Sequence, residues 1–168
     1  MARFTPRAGS GSAFHVWRHS RFDMPGCVFR VSGADFNPDE FLVGSSLRPY
    51  KVWHRGERRT RRGKVCEHSG FCLDVSEIDG QLSGQSEDAI MFLRKHQSEL
   101  SRLSSFPGAG SRRLDFGYHH RDVAVQCDYL PPELLALAGS LGIGIELSLY
   151  PAPCDKTEEI AITPNPIS

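Results

Sequence analysis

The residues best suited to chemistry crowd into one stretch, VWHRGERRTRRGKVCEHSGF, from Val52 to Phe71. Arg55, Arg58, Arg59, Arg61, Arg62 and Lys64 fall within ten positions, and cations at that density can contact phosphates or carboxylates. Trp53 and His54 stand beside them with rings that could stack on bases, as in single-strand nucleic-acid binders. The stretch closes on Cys66 and His68, with Cys72 just beyond, and thiolate and imidazole are the preferred ligands of zinc. A nucleic-acid patch, a metal site and a solvated hairpin loop between two core strands therefore compete for the same residues.

The metal reading is the weakest of the three. The spacing C-x-H-x3-C matches no common zinc framework, and a fourth ligand would have to come from His119 or His120, so no metal and no cofactor is expected. Asp74, Glu77 and Asp79 offer oxygens to a hard cation, but a strand end running into a turn has the same composition. His119 and His120 could supply a general base, yet they fall at a hairpin turn where exposed polar residues are ordinary. No G-x-S-x-G elbow and no phosphate-binding G-x-x-x-x-G-K-S/T sequence occurs. Gly139, Gly142 and Gly144 follow a helix and precede a strand, the reverse of the dinucleotide-binding context. No catalytic residue is assigned, and a binding domain is favoured over an enzyme.

Charge points the same way. The chain of 168 residues has a formal net charge of zero, but the charges are segregated. Residues 1–22 carry four basic groups and no acidic ones, 23–54 sum to minus one, 55–64 to plus five, and 65–168 to minus eight. Nucleic-acid binders usually show a basic domain rather than one basic loop in a neutral chain. The loop's cations can instead meet the chain's own acidic half or an acidic partner. Five cysteines make an odd number, so a disulfide framework is disfavoured and a reducing, cytoplasmic setting is expected. Cys27 and Cys127 read as core thiols and Cys72 as the more exposed, reactive one. No apolar run approaches the roughly 18 residues of a membrane span.

The elements that must position the basic stretch follow from periodicity. Cys27, Phe29 and Val31 alternate as a first strand ending at Gly33. Asn37, Pro38, Asp39 and Glu40 read as an N-cap with proline and acids in the first turn of a short helix carrying Phe41 and Leu42. Tyr50–Arg55 has strand composition, and Phe71, Leu73 and Val75 alternate after the basic loop. Ser86 is expected to start the longest helix, with Ile90, Leu93, Gln97, Leu100 and Leu103 as its buried stripe. Leu114–Tyr118 and Val123–Cys127 read as a hairpin. Pro131 and Pro132 open a third helix that Gly142 stops, and Ile143, Ile145, Leu147 and Leu149 form the last strand.

The economical packing is an α+β domain at 23–150, between a basic tail at 1–22 and a second tail at 151–168. It has a mainly antiparallel sheet of about six strands with three helices on one face, a relative of the ferredoxin-like fold. The segments FRVSGADFNPDEF (29–41), VWHRGE (52–57), SGFCLDV (69–75) and YLPPELLALAGSLGIGIELSLY (129–150) resemble the bacterial domain of unknown function 4279 family. That resemblance covers roughly Gly26–Tyr150 and rests on turns, caps and core positions. It implies a fold and carries no catalytic residue with it. Small bacterial proteins of this architecture include immunity partners of secreted toxins, an analogy of type. The expectation is a protein-binding domain, immunity-type or regulatory, whose acidic half could mask a basic partner. A nucleic-acid module built on Trp53–Lys64 is the alternative, and an enzyme would need a deep pocket joining His54 or His68 to Asp74. Oligomeric state is open.

Overall fold

Strand β1 (Cys27–Gly33) forms where Cys27, Phe29 and Val31 send their side chains to one side and are fully buried. The structure, a computed structural model, describes residues 26–58 and 63–151. Asn37 caps α1 (Pro38–Leu42), its side chain accepting from the Glu40 N–H, and Pro38 pre-sets the first turn. Next come β2 (Lys51–Trp53), β3 (Ser69–Ser76), α2 (Leu82–Lys95), α3 (Gln97–Ser104), β4 (Ser111–His119), α4 (Pro132–Ser140) and β5 (Gly144–Tyr150).

The five strands lie in the order β2-β3-β1-β4-β5. The first four are antiparallel to their neighbours, in the order and connectivity of a ferredoxin-like unit. The fifth is added parallel to β4 by the α4 crossover. All four helices contribute to one buried cluster on one side of the sheet. Within it Phe41 stacks on Phe71 with centroids 6.0 Å apart and meets Phe106 edge-on at 5.3 Å, pairs worth about 0.5–1.5 kcal/mol each beyond simple burial. The Arg102 guanidinium lies 4.1 Å from the Phe41 ring centroid and donates to the Phe41 carbonyl.

Several expectations are corrected. Val123–Cys127 is irregular rather than a strand, and Val123, Val125 and Cys127 are exposed. The place that a hairpin partner would take beside β4 is filled by β5, so the sheet has five strands among the described residues. Ser86 does not start a helix. It lies fully buried inside α2, donating its hydroxyl to the Leu82 carbonyl one turn back, and the helix begins at Leu82. The long helix is two, broken at His96, whose φ of −106° and ψ of 16° leave the helical region. The His96 ring packs on Phe92 and reaches the Ser46 hydroxyl, and Gln97 in the expected stripe is exposed. Cys72 is only 5% exposed, so the thiol expected to be accessible is covered. The N-terminal tail and most of the C-terminal tail lie outside the described residues.

One close approach ties the sheet to its connections. A Cβ on Gly33 would fall 1.7 Å from the Gly108 carbonyl oxygen, and one on Gly108, at φ +77°, would fall 2.4 Å from the Asp35 backbone. Backbone cannot yield as a flexible side chain can. Gly33→Ala should cost at least ~2 kcal/mol in urea unfolding. Gly139→Ala, in α4 with nothing within 4 Å of the new methyl, should instead gain ~0.5 kcal/mol.

Candidate functional site

The β2–β3 hairpin does not stop at the sheet. Beyond Trp53 the Gly56 N–H donates to the Cys66 carbonyl at 2.8 Å, and the Cys66 N–H donates to the Glu57 carbonyl at 2.8 Å. An antiparallel bridge joins Arg58 to Val65. Gly56 sits at φ +89° with open space around it, the conformation that lets the outgoing strand turn without a Cβ penalty. The result is a paired arm that extends from Trp53 to Arg58 on one side and returns through Val65 and Cys66 on the other.

The base of the arm is locked to the β1–α1 connection. Arg55 donates its N–H to the Ser69 hydroxyl at 3.0 Å, and its guanidinium lies 3.7 Å from Asp35. His54 is gripped on both ring nitrogens, with Nε2 2.8 Å from Asp39 Oδ2 and Nδ1 3.0 Å from Glu57 Oε1. Two carboxylates on one imidazole call for a proton on each nitrogen, so the Asp39 hydrogen bond, aided by that of Glu57, raises the His54 pKa. The Glu57 pKa is lowered by the His54 backbone N–H and then by the His54 ring.

Trp53, half-buried, faces Gly70 across the ladder. A Cβ on Gly70 would lie 2.5 Å from the indole Cζ2, so the ring covers that glycine. Trp53 is thus held on one side by the sheet, and His54 is held by its ring edge between two carboxylates. Arg58 and Lys64 are exposed, and neither forms an ion pair with any described residue. Arg59, Arg61 and Arg62 lie outside the described residues.

Elsewhere, a cleft of about 420 Å³ opens between the α1–β2 connection, β3 and α2, lined by residues that include Arg48, Asp74, Asp88, Lys95 and His96. It contains the Asp74 carboxylate but neither His54 nor His68, so it does not join the groups that the enzyme reading required. Burial, then the charge of Lys95, lowers the His96 pKa. Asp88 accepts from the Ser76 hydroxyl at 2.6 Å. Asp79 lies 3.6 Å from His119. Cys66 and Cys72 are buried while His68 is exposed. Among the described residues no group of three His, Cys, Asp or Glu side chains could hold a metal ion.

Glu99 escaped the reading by motif. Burial raises its pKa, but hydrogen bonds from the Ser45 and Ser46 side chains and the Ser46 and Leu47 backbone outweigh it and bring it down to about 2. Asp39 was visible as an acid in the first turn of α1, and nothing in the local pattern told that it and Asp35 would hold the arm.

A histidine with a raised folded pKa stabilises fully below its unfolded value of about 6.5. That contribution fades as pH rises through the folded value. The His54 ring should therefore titrate above 6.5 by NMR, and Asp39→Asn should bring it down. Protection of the Gly56 and Cys66 amides, corrected for the intrinsic rise of exchange with pH, should fall as pH rises through the His54 pKa; the Asp39→Asn protein should start less protected and show a smaller fall.

No helix among the described residues is long and apolar enough to cross a membrane. No curated protein and no solved structure matches the chain. The family model described as Domain of unknown function (DUF4279) matches residues 24–152, a span that holds the five strands and four helices of the described residues, and the chain belongs to that family.

Proposed function

We propose that this is a cytoplasmic protein-binding domain that docks an acidic partner surface on the basic tip of its arm. The observation that carries the reading is the contrast between the two ends of that arm. At the base, Arg55 and His54 are matched by Asp35, Asp39 and Glu57; at the tip, Arg58 and Lys64 meet no carboxylate of the described residues. A fixed base presents the tip's charge at a set place, which lowers the ordering cost of docking and steers an oppositely charged surface toward it. An immunity-type or regulatory role is the setting that suits such a module.

Protein is favoured over nucleic acid because the two rings nearest the arginines are held, Trp53 over Gly70 and His54 between Asp39 and Glu57, whose carboxylates would repel phosphates approaching the ring. Single-strand binding draws much of its strength from stacking.

A fluorescein-labelled polyglutamate peptide should bind at low salt and be released toward 1 M salt, where the Debye length falls to about 3 Å. Replacing Arg58, Arg59, Arg61 and Arg62 together by Gln should weaken binding about tenfold or more, four charge pairs with the peptide at ~0.5 kcal/mol each. Unchanged affinity in that variant removes the tip from the site. An unlabelled single-stranded oligonucleotide of equal charge that competes more than ~10-fold better than the peptide would transfer the reading to nucleic acid.

A further inference from the structure

The two edges of the sheet are built differently. At one edge β2 has only three residues, begins with Lys51 and leads into the arm, which leaves little ladder to extend. At the other edge β5 offers seven residues without proline or lysine. Short strands, charge and proline are how sheets protect their edges, and β5 has one charged group, Glu146, already neutralised by Arg113 at 2.9 Å.

The geometry of the ladder shows which groups of β5 are free. The His120 N–H donates to the Tyr150 carbonyl, and Tyr150 is in register with His119. In a parallel pair this pattern directs the peptide groups of Tyr150, Ser148, Glu146 and Gly144 toward β4. The N–H and C=O groups of Ile145, Leu147 and Leu149 consequently face outward. Their side chains share the helix side with Leu114, Phe116 and Tyr118. Ile145 packs against the core, but Leu147 is 42% and Leu149 52% exposed. On the open side, Glu146 and Ser148 are already engaged by Arg113 and Asp115.

We propose that β5 pairs antiparallel with β5 of a second copy of this chain, across a two-fold axis at Leu147, joining two five-stranded sheets into one. The sequence GIELSLY is self-complementary in that register. Leu147 meets Leu147, Ile145 meets Leu149, and the single carboxylate of Glu146 meets Ser148, so no like charges oppose one another. The three outward residues of each strand then exchange about six backbone hydrogen bonds, and the exposed leucines cover each other. With a net charge of zero, two copies approach without general repulsion.

Light scattering coupled to gel filtration tests this on the full chain. The wild type is expected at twice the mass of one chain. Leu147→Lys, which sets like charges face to face only in the dimer, is expected at the mass of one chain with an unchanged circular dichroism spectrum. Leu147→Glu should behave alike, and an equal mixture of the two should regain the dimer mass, because the axis places Lys opposite Glu. Leu149→Lys serves if the Leu147 variants fail to fold. A wild type that stays monomeric at about 100 µM, well above a micromolar Kd, overturns the proposal. So does a Leu147→Lys protein that remains dimeric, or a chain that dimerises only after deletion of residues 152–168, which would make its own tail the occupant of the edge.

Discussion

The backbone contact between Gly33 and Gly108 governs the half of the molecule that carries the candidate site. It brings the end of the central strand against the turn before β4, so close that neither position admits a Cβ. From that contact the chain enters Asp35 and Phe36 in a defined direction. Phe36 drops into the aromatic cluster with Phe41, Phe71 and Phe106. Asp35 and, three residues on, the Asn37-capped α1 with Asp39 are left facing the β2–β3 hairpin. The order of causes runs from a steric constraint between two glycines to the place where two carboxylates find Arg55 and His54.

The break at His96 serves the same region. A continuous helix would carry Glu99 on along the axis of α2. With His96 out of the helical region, α3 instead brings Glu99 under the α1–β2 connection, where it gathers the Ser45 hydroxyl and the Ser46 N–H. A low pKa there means that this contribution is complete above about 4.5 and is lost as pH falls toward about 2. His54 contributes on the acidic side of its raised pKa and Glu99 on the basic side of its lowered one. Both ends of the α1–β2 region are therefore charge-matched across the mildly acidic range.

Much of this could be read from the sequence where local pattern and tertiary role coincide. The alternation in β1, β3 and β5, the Asn37 cap, Pro132 at the start of α4 and Gly142 at φ +63° after it are features a short window determines. Failures came where a distant partner decides. Val123–Cys127 alternates as well as any strand, but the only ladder position beside β4 had gone to β5. Ser86 followed by acids looks like a cap, but the apolar Leu82 four residues earlier extends the helix into the core. Cys72 sits on the side of β3 away from the helices, where alternation predicts exposure; the register sets Lys51 and Arg30 on either side of it and Tyr50 beside it. The basic cluster was legible as residues, whereas its division into a matched base and an unmatched tip depends on Asp35 and Asp39, roughly twenty positions upstream.

The parallel entry of β5 has a consequence beyond topology. Had the last strand come back as a hairpin partner of β4, Val123–Cys127 would have formed the edge, with its side chains set by a tight turn. The α4 crossover instead carries the chain over the helix side and returns it at the far edge, and α4 is only nine residues long. Nine helical residues span roughly 14 Å, while seven strand residues span roughly 23 Å. The helix covers the Ile145 end of β5 and leaves the Leu147–Leu149 end beyond its reach. The exposed apolar side of the edge strand thus follows from unequal lengths of helix and strand, and it coincides with the outward peptide groups because both belong to the same alternate residues.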